Sequence, residues 1–168
     1  SLINAEDTDA VLSCINDIID QCGISTVGKC KVIIGCDTRP SSKSLKECAI
    51  QGIKAMRGSI VDLGEVTTPQ LHFAVKCANS GEASEPDELK DIYFSTICRG
   101  YLELKKTAGA RMGHKDEVTI DCANGVGSIT AARLEHVVVP DMGSLRNVLT
   151  CTLRNEAYSG PVNEECGA

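Results

Sequence analysis

The chain has 168 residues, with 17 Lys plus Arg against 23 Asp plus Glu and a formal net charge of −6. Hydrophobic residues make up 42% and charged residues 24%, enough apolar material for a core, which excludes wholesale disorder. An acidic balance with 3% aromatics and no Trp excludes a dedicated nucleic-acid partner, and no apolar run approaches the ~20 residues that cross a membrane.

Residues 8–22 read as an amphipathic helix. Val11, Leu12, Ile15, Ile18, Ile19 and Cys22 recur at helical spacing, Asp7 or Thr8 can cap the start, and Gly23 is a natural stop. Lys31-Val32-Ile33-Ile34-Gly35 is a short, nearly continuous apolar run, which predicts a strand covered on both faces. A second helix is expected over 42–57, with Leu45, Ala49, Ile53 and Met56 on one face and Gly58 ending it. Residues 59–64 form the next strand, and Thr67-Thr68-Pro69-Gln70 turns into a third helix over 70–78.

Strand, helix, strand, helix is a βαβα unit, so the fold class is α/β with a mainly parallel sheet. Right-handed crossover places both strand C-termini, and the loops 36–42 and 65–70 that leave them, on one edge. A site in this module belongs on that edge.

Residues 79–87 are polar and read as a loop, 89–106 as an amphipathic helix, and 107–116 as a polar connection with two glycines. This last stretch is the best domain boundary. Val118-Thr119-Ile120-Asp121 then reads as a strand, Asn124-Gly125-Val126-Gly127 as a tight turn, and 128–136 as a helix. A further strand is expected within 148–154.

Ten cysteines, at 14, 22, 30, 36, 48, 77, 98, 122, 151 and 166, include no C-x-x-C pair. Their share lies below the roughly 8–10% of a small disulfide scaffold. Reduced thiols in a cytoplasmic protein are the expectation, with Cys14, Cys22 and Cys30 acting as small buried hydrophobes in their apolar runs. Residues 1–7 lack the basic and apolar regions of a leader, and the absence of an initial Met predicts a processed chain or a fragment.

Gly35-Cys36-Asp37-Thr38-Arg39-Pro40-Ser41-Ser42 leaves a strand and opens a helix. Two readings stay open there. An anion docks on the helix N-terminus and Arg39, with Asp37 orienting the arginine; or Ser41 or Ser42 caps the helix and Asp37–Arg39 is a loop ion pair. Thr67, Thr68 and Pro69 hold the corresponding place after the next strand, as a cap or as a contact to a polar ligand. His72, alone in its helix, is expected to be packed. Asp121-Cys122-Ala123-Asn124-Gly125-Val126-Gly127 invites comparison with a dinucleotide fingerprint, but position 130 is Thr where the third glycine belongs. Its role is then structural, with Asn124 and Gly125 taking backbone angles that other residues resist. Phosphate-loop, nucleophile-elbow and H-E-x-x-H motifs are all missing.

Four segments in order resemble a family. Residues 32–42, with Gly35-Cys36-Asp37-Thr38-Arg39-Pro40-Ser41, resemble the G-R-D-T-R-P-S segment of phosphoacetylglucosamine mutases, in the α-D-phosphohexomutase superfamily. Thr67-Thr68-Pro69-Gln70-Leu71-His72 is similar to that family's T-T-P-Q-L-H, and residues 121–127 to its D-C/G-A-N-G-I/V-G. Val162-Asn163-Glu164-Glu165-Cys166-Gly167-Ala168 is similar to its L-N-x-x-C-G-A.

The resemblance implies part of a four-domain, Mg2+-dependent cytoplasmic enzyme. Such enzymes interconvert N-acetylglucosamine 6-phosphate and 1-phosphate for UDP-N-acetylglucosamine biosynthesis, passing a phosphoryl group between a phosphoserine and the sugar phosphate. On this reading residues 1–112 are the latter part of domain I and 113–168 the beginning of domain II. No Ser-His-Asn or Asp-Gly-Asp occurs in the chain. The catalytic phosphoserine is therefore expected upstream of Ser1 and the metal loop beyond Ala168, leaving these residues alone an incompetent fragment. What carries over is a supporting edge of the active site: Asp37, Arg39, Thr67, Thr68 and Pro69. Cys36 stands where the family usually has Arg, which exchanges a fixed charge and five donors for a thiol. A non-catalytic relic or binding module, or a phosphohexomutase acting on glucose or mannose phosphates, remains an alternative.

Overall fold

The computed structural model describes residues 5–25, 28, 30–109, 114–134 and 136–162. Two compact units are distinguished, Ser1–Cys30 and Lys31–Ala168. The described part of the first holds one helix, α1 (Ala5–Gln21). It begins ahead of the expected start, so Asp7 and Thr8 lie inside it. Gly23 ends it in the left-handed region at φ 61°, and the Ile24 N–H donates back to the Ile19 carbonyl at 2.9 Å. Cys14, Cys22 and Cys30 are exposed, which corrects the expectation that they are buried. Among the described residues of this unit the helix has no second element against which to bury a stripe.

The second unit opens with β1 (Lys31–Cys36), α2 (Ser42–Ala55), β2 (Ser59–Glu65) and α3 (Thr68–Ser80). β1 and β2 pair in parallel, from Lys31 opposite Ser59 to Ile34 opposite Asp62, and slip between Ile34 and Cys36. The α/β class and the parallel pairing follow the sequence. The expectation that β1 is covered on both faces does not hold. Its residues from Val32 to Cys36 are only half-buried in a two-stranded sheet. α2 likewise buries no residue: Leu45 is 66% and Met56 84% exposed, so its apolar face is not packed as periodicity suggested. Lys46 ties the helix to the sheet through Asp62, Nζ to Oδ2 at 2.9 Å.

The slip in register falls at Gly35, where the backbone has a close neighbour. A Cβ at Gly35 would stand 2.4 Å from Cγ2 of Val66 and 3.4 Å from the Gly64 carbonyl oxygen. Gly35→Ala is therefore expected to cost about 1–3 kcal/mol of stability, the range for overpacking. Thermal unfolding checks this, and Val66→Ala in the same chain recovers part of the loss because it removes the clashing methyl. An alanine variant as stable as the parent contradicts the close approach.

α4 (Pro86–Thr107) follows a short loop, with Asp87 and Glu88 in its first turn and Lys105 and Lys106 in its last, matching the helix dipole. Its N-terminal half supplies Leu89 to a core of Leu63, Val66, Ala74 and Cys77. Its C-terminal half supplies Cys98 and Leu102 to a second core with Val139, Leu145 and Val148.

The rest of the unit is β3 (Asp116–Asp121), α5 (Gly127–Leu134), the short hairpin β4 (Val138–Val139) and β5 (Gly143–Ser144), and β6 (Leu149–Arg154). β3 and β6 pair in parallel throughout, Asp116 opposite Leu149 to Asp121 opposite Arg154. The hairpin and the 3-10 turn Leu145–Asn147 have no sequence signal, since two- and three-residue elements show no period.

Lys105 is 7% exposed beneath the start of β3. Its ammonium donates to the carbonyls of His114 (2.8 Å) and Val148 (3.0 Å) and to Oδ2 of Asp116 (2.8 Å). The Tyr101 hydroxyl donates to the same carboxylate oxygen. The phenol's pKa is pushed up to about 12, chiefly by that hydrogen bond, while Lys105 and then Tyr101 hold the Asp116 carboxyl below its usual range.

Candidate functional site

The five residues assigned to the active-site edge come together. Asp37, Arg39, Thr67, Thr68 and Pro69 all line one cleft of about 420 Å3 at the C-terminal edge of β1 and β2, with Gly35, Cys36, Val66 and Val126. Both loops leave parallel strands and enter helices, so the topology places them side by side.

In the first loop, Asp37 organises its neighbours. Its Oδ1 accepts the Arg39 N–H at 3.0 Å and the Ser42 hydroxyl, and its Oδ2 faces Arg39 Nε at 3.2 Å. The Ser42 bond is the largest effect and outweighs burial, and the Arg39 N–H and guanidinium add to it, so the carboxyl lies below its usual pKa. The loop ion pair is thus formed. Neither Ser41 nor Ser42 caps α2: Ser41 takes the N-cap position at helical backbone angles without a side-chain bond, and the Ser42 hydroxyl is committed to Asp37. Arg39 keeps its side chain 63% exposed while Asp37 holds its Nε edge.

In the second loop, Thr67 and Gln70 form a capping box at the start of α3, and Pro69 sits in the first turn. The Gln70 Oε1 accepts the Thr67 N–H (2.8 Å) and the Thr67 hydroxyl (2.9 Å), and the Gln70 N–H reaches Thr67 Oγ1 at 3.5 Å. Thr68 is exposed at the cleft. His72 is exposed and outside the lining, which corrects its reading as a packed residue. It lies on the face of α3 opposite the buried Gln70, Ala74 and Cys77.

A third wall was not assigned from sequence. The turn after β3 borders Arg39: Asp37, Thr38 and Arg39 share a smaller cleft of about 210 Å3 with Cys122, Ala123, Gly125, Val126 and Gly127. The equivalent position at a strand C-terminus is the signal that marks it. Ala123 (φ 53°) and Asn124 (φ 55°) take the left-handed angles here. Asn124 follows the expectation, and its left-handed partner is Ala123 in place of Gly125. The pair is held because Asp121 Oδ1 accepts the Ala123 N–H (2.9 Å) and the Asn124 N–H donates to the Asn155 carbonyl (2.7 Å). Asn155 Nδ2 also reaches both Asp121 oxygens at 3.0 Å, and these donors keep the Asp121 carboxyl below its usual pKa.

Cys36 lines the first cleft, half-buried. The stretch Asn163–Ala168, with Cys166, lies outside the described residues. Among the described residues no group of three or more His, Cys, Asp or Glu side chains converges on a metal position, so they do not fit the Mg2+ implied by the resemblance. No helix of the described chain is long and apolar enough to cross a membrane.

Residues 3–83 match the family model described as phosphoglucomutase/phosphomannomutase, alpha/beta/alpha domain I. The chain is 32% identical to the phosphoacetylglucosamine mutase of Sus scrofa over 167 residues, 99% of this chain and 29% of that protein. Its fold superposes on N-acetylglucosamine-phosphate mutase in a substrate complex with a TM-score of 0.72 and 26% identity, covering 91% of this chain and 27% of the other. The Aspergillus fumigatus enzyme in complex with GlcNAc-6P and magnesium gives 0.67 and 27% identity, covering 91% and 30%. The chain therefore spans under a third of the length of the relatives it matches. Over the matched residues it is similar in sequence to phosphoacetylglucosamine mutases, and its α/β fold matches the corresponding part of the phosphohexomutase fold.

Proposed function

We propose that these residues form one wall of the active site of a mutase that interconverts N-acetylglucosamine 6-phosphate and N-acetylglucosamine 1-phosphate for UDP-N-acetylglucosamine biosynthesis in the cytoplasm. The observation that carries the reading is the meeting of Asp37, Arg39, Thr67, Thr68 and Pro69 in one cleft, in a chain homologous to such mutases. Asp37 orients Arg39, and Arg39 brings a fixed positive charge to a phosphoryl oxygen. Thr67–Pro69 form the polar wall opposite. Charge stabilisation and positioning of this kind are what phosphoryl transfer needs from a protein.

Residues 1–112 are the latter part of domain I and 113–168 the beginning of domain II, so the substrate lies over the edge that both supply. Mg2+, present in the related Aspergillus fumigatus complex, would be held by residues other than those described here and would supply charge stabilisation. The 168 residues alone do not turn over substrate, because the sequence contains neither the Ser-His-Asn nor the Asp-Gly-Asp motif. A second reading, a non-catalytic relic, is favoured by one observation: Cys36 lines the cleft where the family usually carries Arg.

The test replaces the matched segment of the Sus scrofa enzyme with these 168 residues. Turnover of N-acetylglucosamine 6-phosphate is followed by 31P NMR with glucose 1,6-bisphosphate as activator. The chimera is expected to turn over and the isolated chain is not. A folded chimera that is inactive until Cys36→Arg is introduced supports the relic, and robust activity of the isolated chain overturns the claim of incompetence.

A further inference from the structure

Gln70 does more than close a capping box. It is 4% exposed, and its Oε1 accepts a third bond, from the hydroxyl of Thr130 at 3.0 Å, sixty residues along the chain. The Thr67 N–H to Gln70 Oε1 and the Gln70 N–H to Thr67 Oγ1 already complete the cap of α3, so the cap does not account for Thr130. Thr130 is in α5, one turn beyond Val126, and its N–H points back to the Val126 carbonyl at 3.4 Å. Val126 lines both clefts, facing Asp37 and Arg39 in each. One buried carbonyl oxygen thus ties the Thr67–Pro69 loop to the helix that carries the Cys122–Gly127 turn. This is also the position at which a dinucleotide fingerprint would need glycine, and the hydroxyl found there has this specific partner.

We propose that Gln70 and Thr130 are positioning residues, whose bond fixes the separation and relative orientation of the two walls that flank Arg39. The role in substrate fit rests on the mutase reading above; the geometric role does not. The walls belong to segments assigned to different domains, so the bond acts as a latch across the 112/113 boundary. A buried carbonyl holding three donors in one place tolerates little displacement.

The test uses the 168-residue chain with Thr130→Val, which removes the hydroxyl at similar volume, and Thr130→Ser, which keeps it. Residual dipolar couplings report the orientation of α3 relative to α5. The expected result is that Thr130→Val changes this orientation, or averages it, and speeds exchange of the Thr67 amide, while Thr130→Ser restores both. A purely structural hydroxyl would lower the unfolding temperature and leave the relative orientation intact, and that result overturns the proposal. Titration with N-acetylglucosamine 6-phosphate forms the second arm. If the parent chain binds, Thr130→Val should weaken Kd roughly fivefold, as expected for one lost neutral hydrogen bond, and Thr130→Ser should recover it. Equal binding by all three overturns the link to substrate fit. Altered couplings without binding by any of them leave the latch standing and overturn its link to substrate fit in this chain.

Discussion

Lys105→Met is expected to destabilise the chain by about 2–3 kcal/mol, because charged hydrogen bonds to buried acceptors are the costly ones to lose. Methionine keeps most of the aliphatic stem, so the loss isolates the ammonium from its packing. Three acceptors lose a donor: the carbonyls of His114 and Val148 and the carboxylate of Asp116. The Val148 carbonyl keeps the Asp116 N–H at 2.9 Å and Asp116 keeps Tyr101, which is why the figure falls short of that for a fully orphaned buried charge. Thermal unfolding should drop by about 4–12 °C for a chain of this size. The acid limb should move as well. Lys105 depresses the folded Asp116 pKa, so its stabilisation is present above the unfolded value and lost as pH falls through the folded one. Without Lys105 that contribution shrinks and its pH window narrows, because the folded value rises toward the unfolded one. A variant within 0.5 kcal/mol of the parent, with an unchanged acid limb, contradicts the anchoring of α4 beneath β3 (threshold of about the size of a surface substitution).

Arg39→Ala carries the largest expected effect on activity. In the chimera with the Sus scrofa enzyme it should lower turnover of N-acetylglucosamine 6-phosphate by about 100-fold or more, the scale for removing one preorganised donor from a developing negative charge. The side chain is 63% exposed and its Nε is engaged by a loop neighbour, so the fold has little to lose from its removal. An unchanged unfolding temperature beside a large loss in kcat assigns the effect to charge at the cleft. Lysine in its place restores charge but not the planar fork, and partial recovery is expected. A folded alanine variant within twofold of the parent removes Arg39 from the phosphoryl site (about 0.4 kcal/mol on the rate scale).

The βαβα unit was legible because its signals are local. The apolar run at 31–35, the strand at 59–64 and the Thr67–Pro69 helix start each fall inside a window of a few residues, and crossover handedness then fixes the edge. The same rule brought Asp37 and Arg39 beside Thr67 and Thr68 without any contact being known. The remainder depends on distant partners. Thr130 meets Gln70 across sixty residues, and Lys105 meets Val148 across forty-three, separations at which no periodic pattern speaks. Burial was the other weak point. Leu45 and Met56 sit at helical spacing, yet α2 buries nothing, since a period shows which face is apolar and not whether anything lies against it. At the turn after β3, composition favoured Asn124 and Gly125, while the Asp121 carboxylate and the Asn155 carbonyl place the left-handed pair at Ala123 and Asn124.

Cys36 makes the balance between catalyst and relic a matter of chemistry at one position. A thiol offers the cleft almost no donor where a guanidinium would offer five, and Arg39, Thr67 and Thr68 are left to supply the polar contacts. The most direct measurement is mutase turnover by the purified, folded chimera, with N-acetylglucosamine 6-phosphate as substrate. If these residues form a working wall of the site, N-acetylglucosamine 1-phosphate accumulates at a rate within about tenfold of the Sus scrofa enzyme, a difference of under about 1.4 kcal/mol in the barrier. A chimera that folds as the parent does and makes no product, with or without Cys36→Arg, contradicts it.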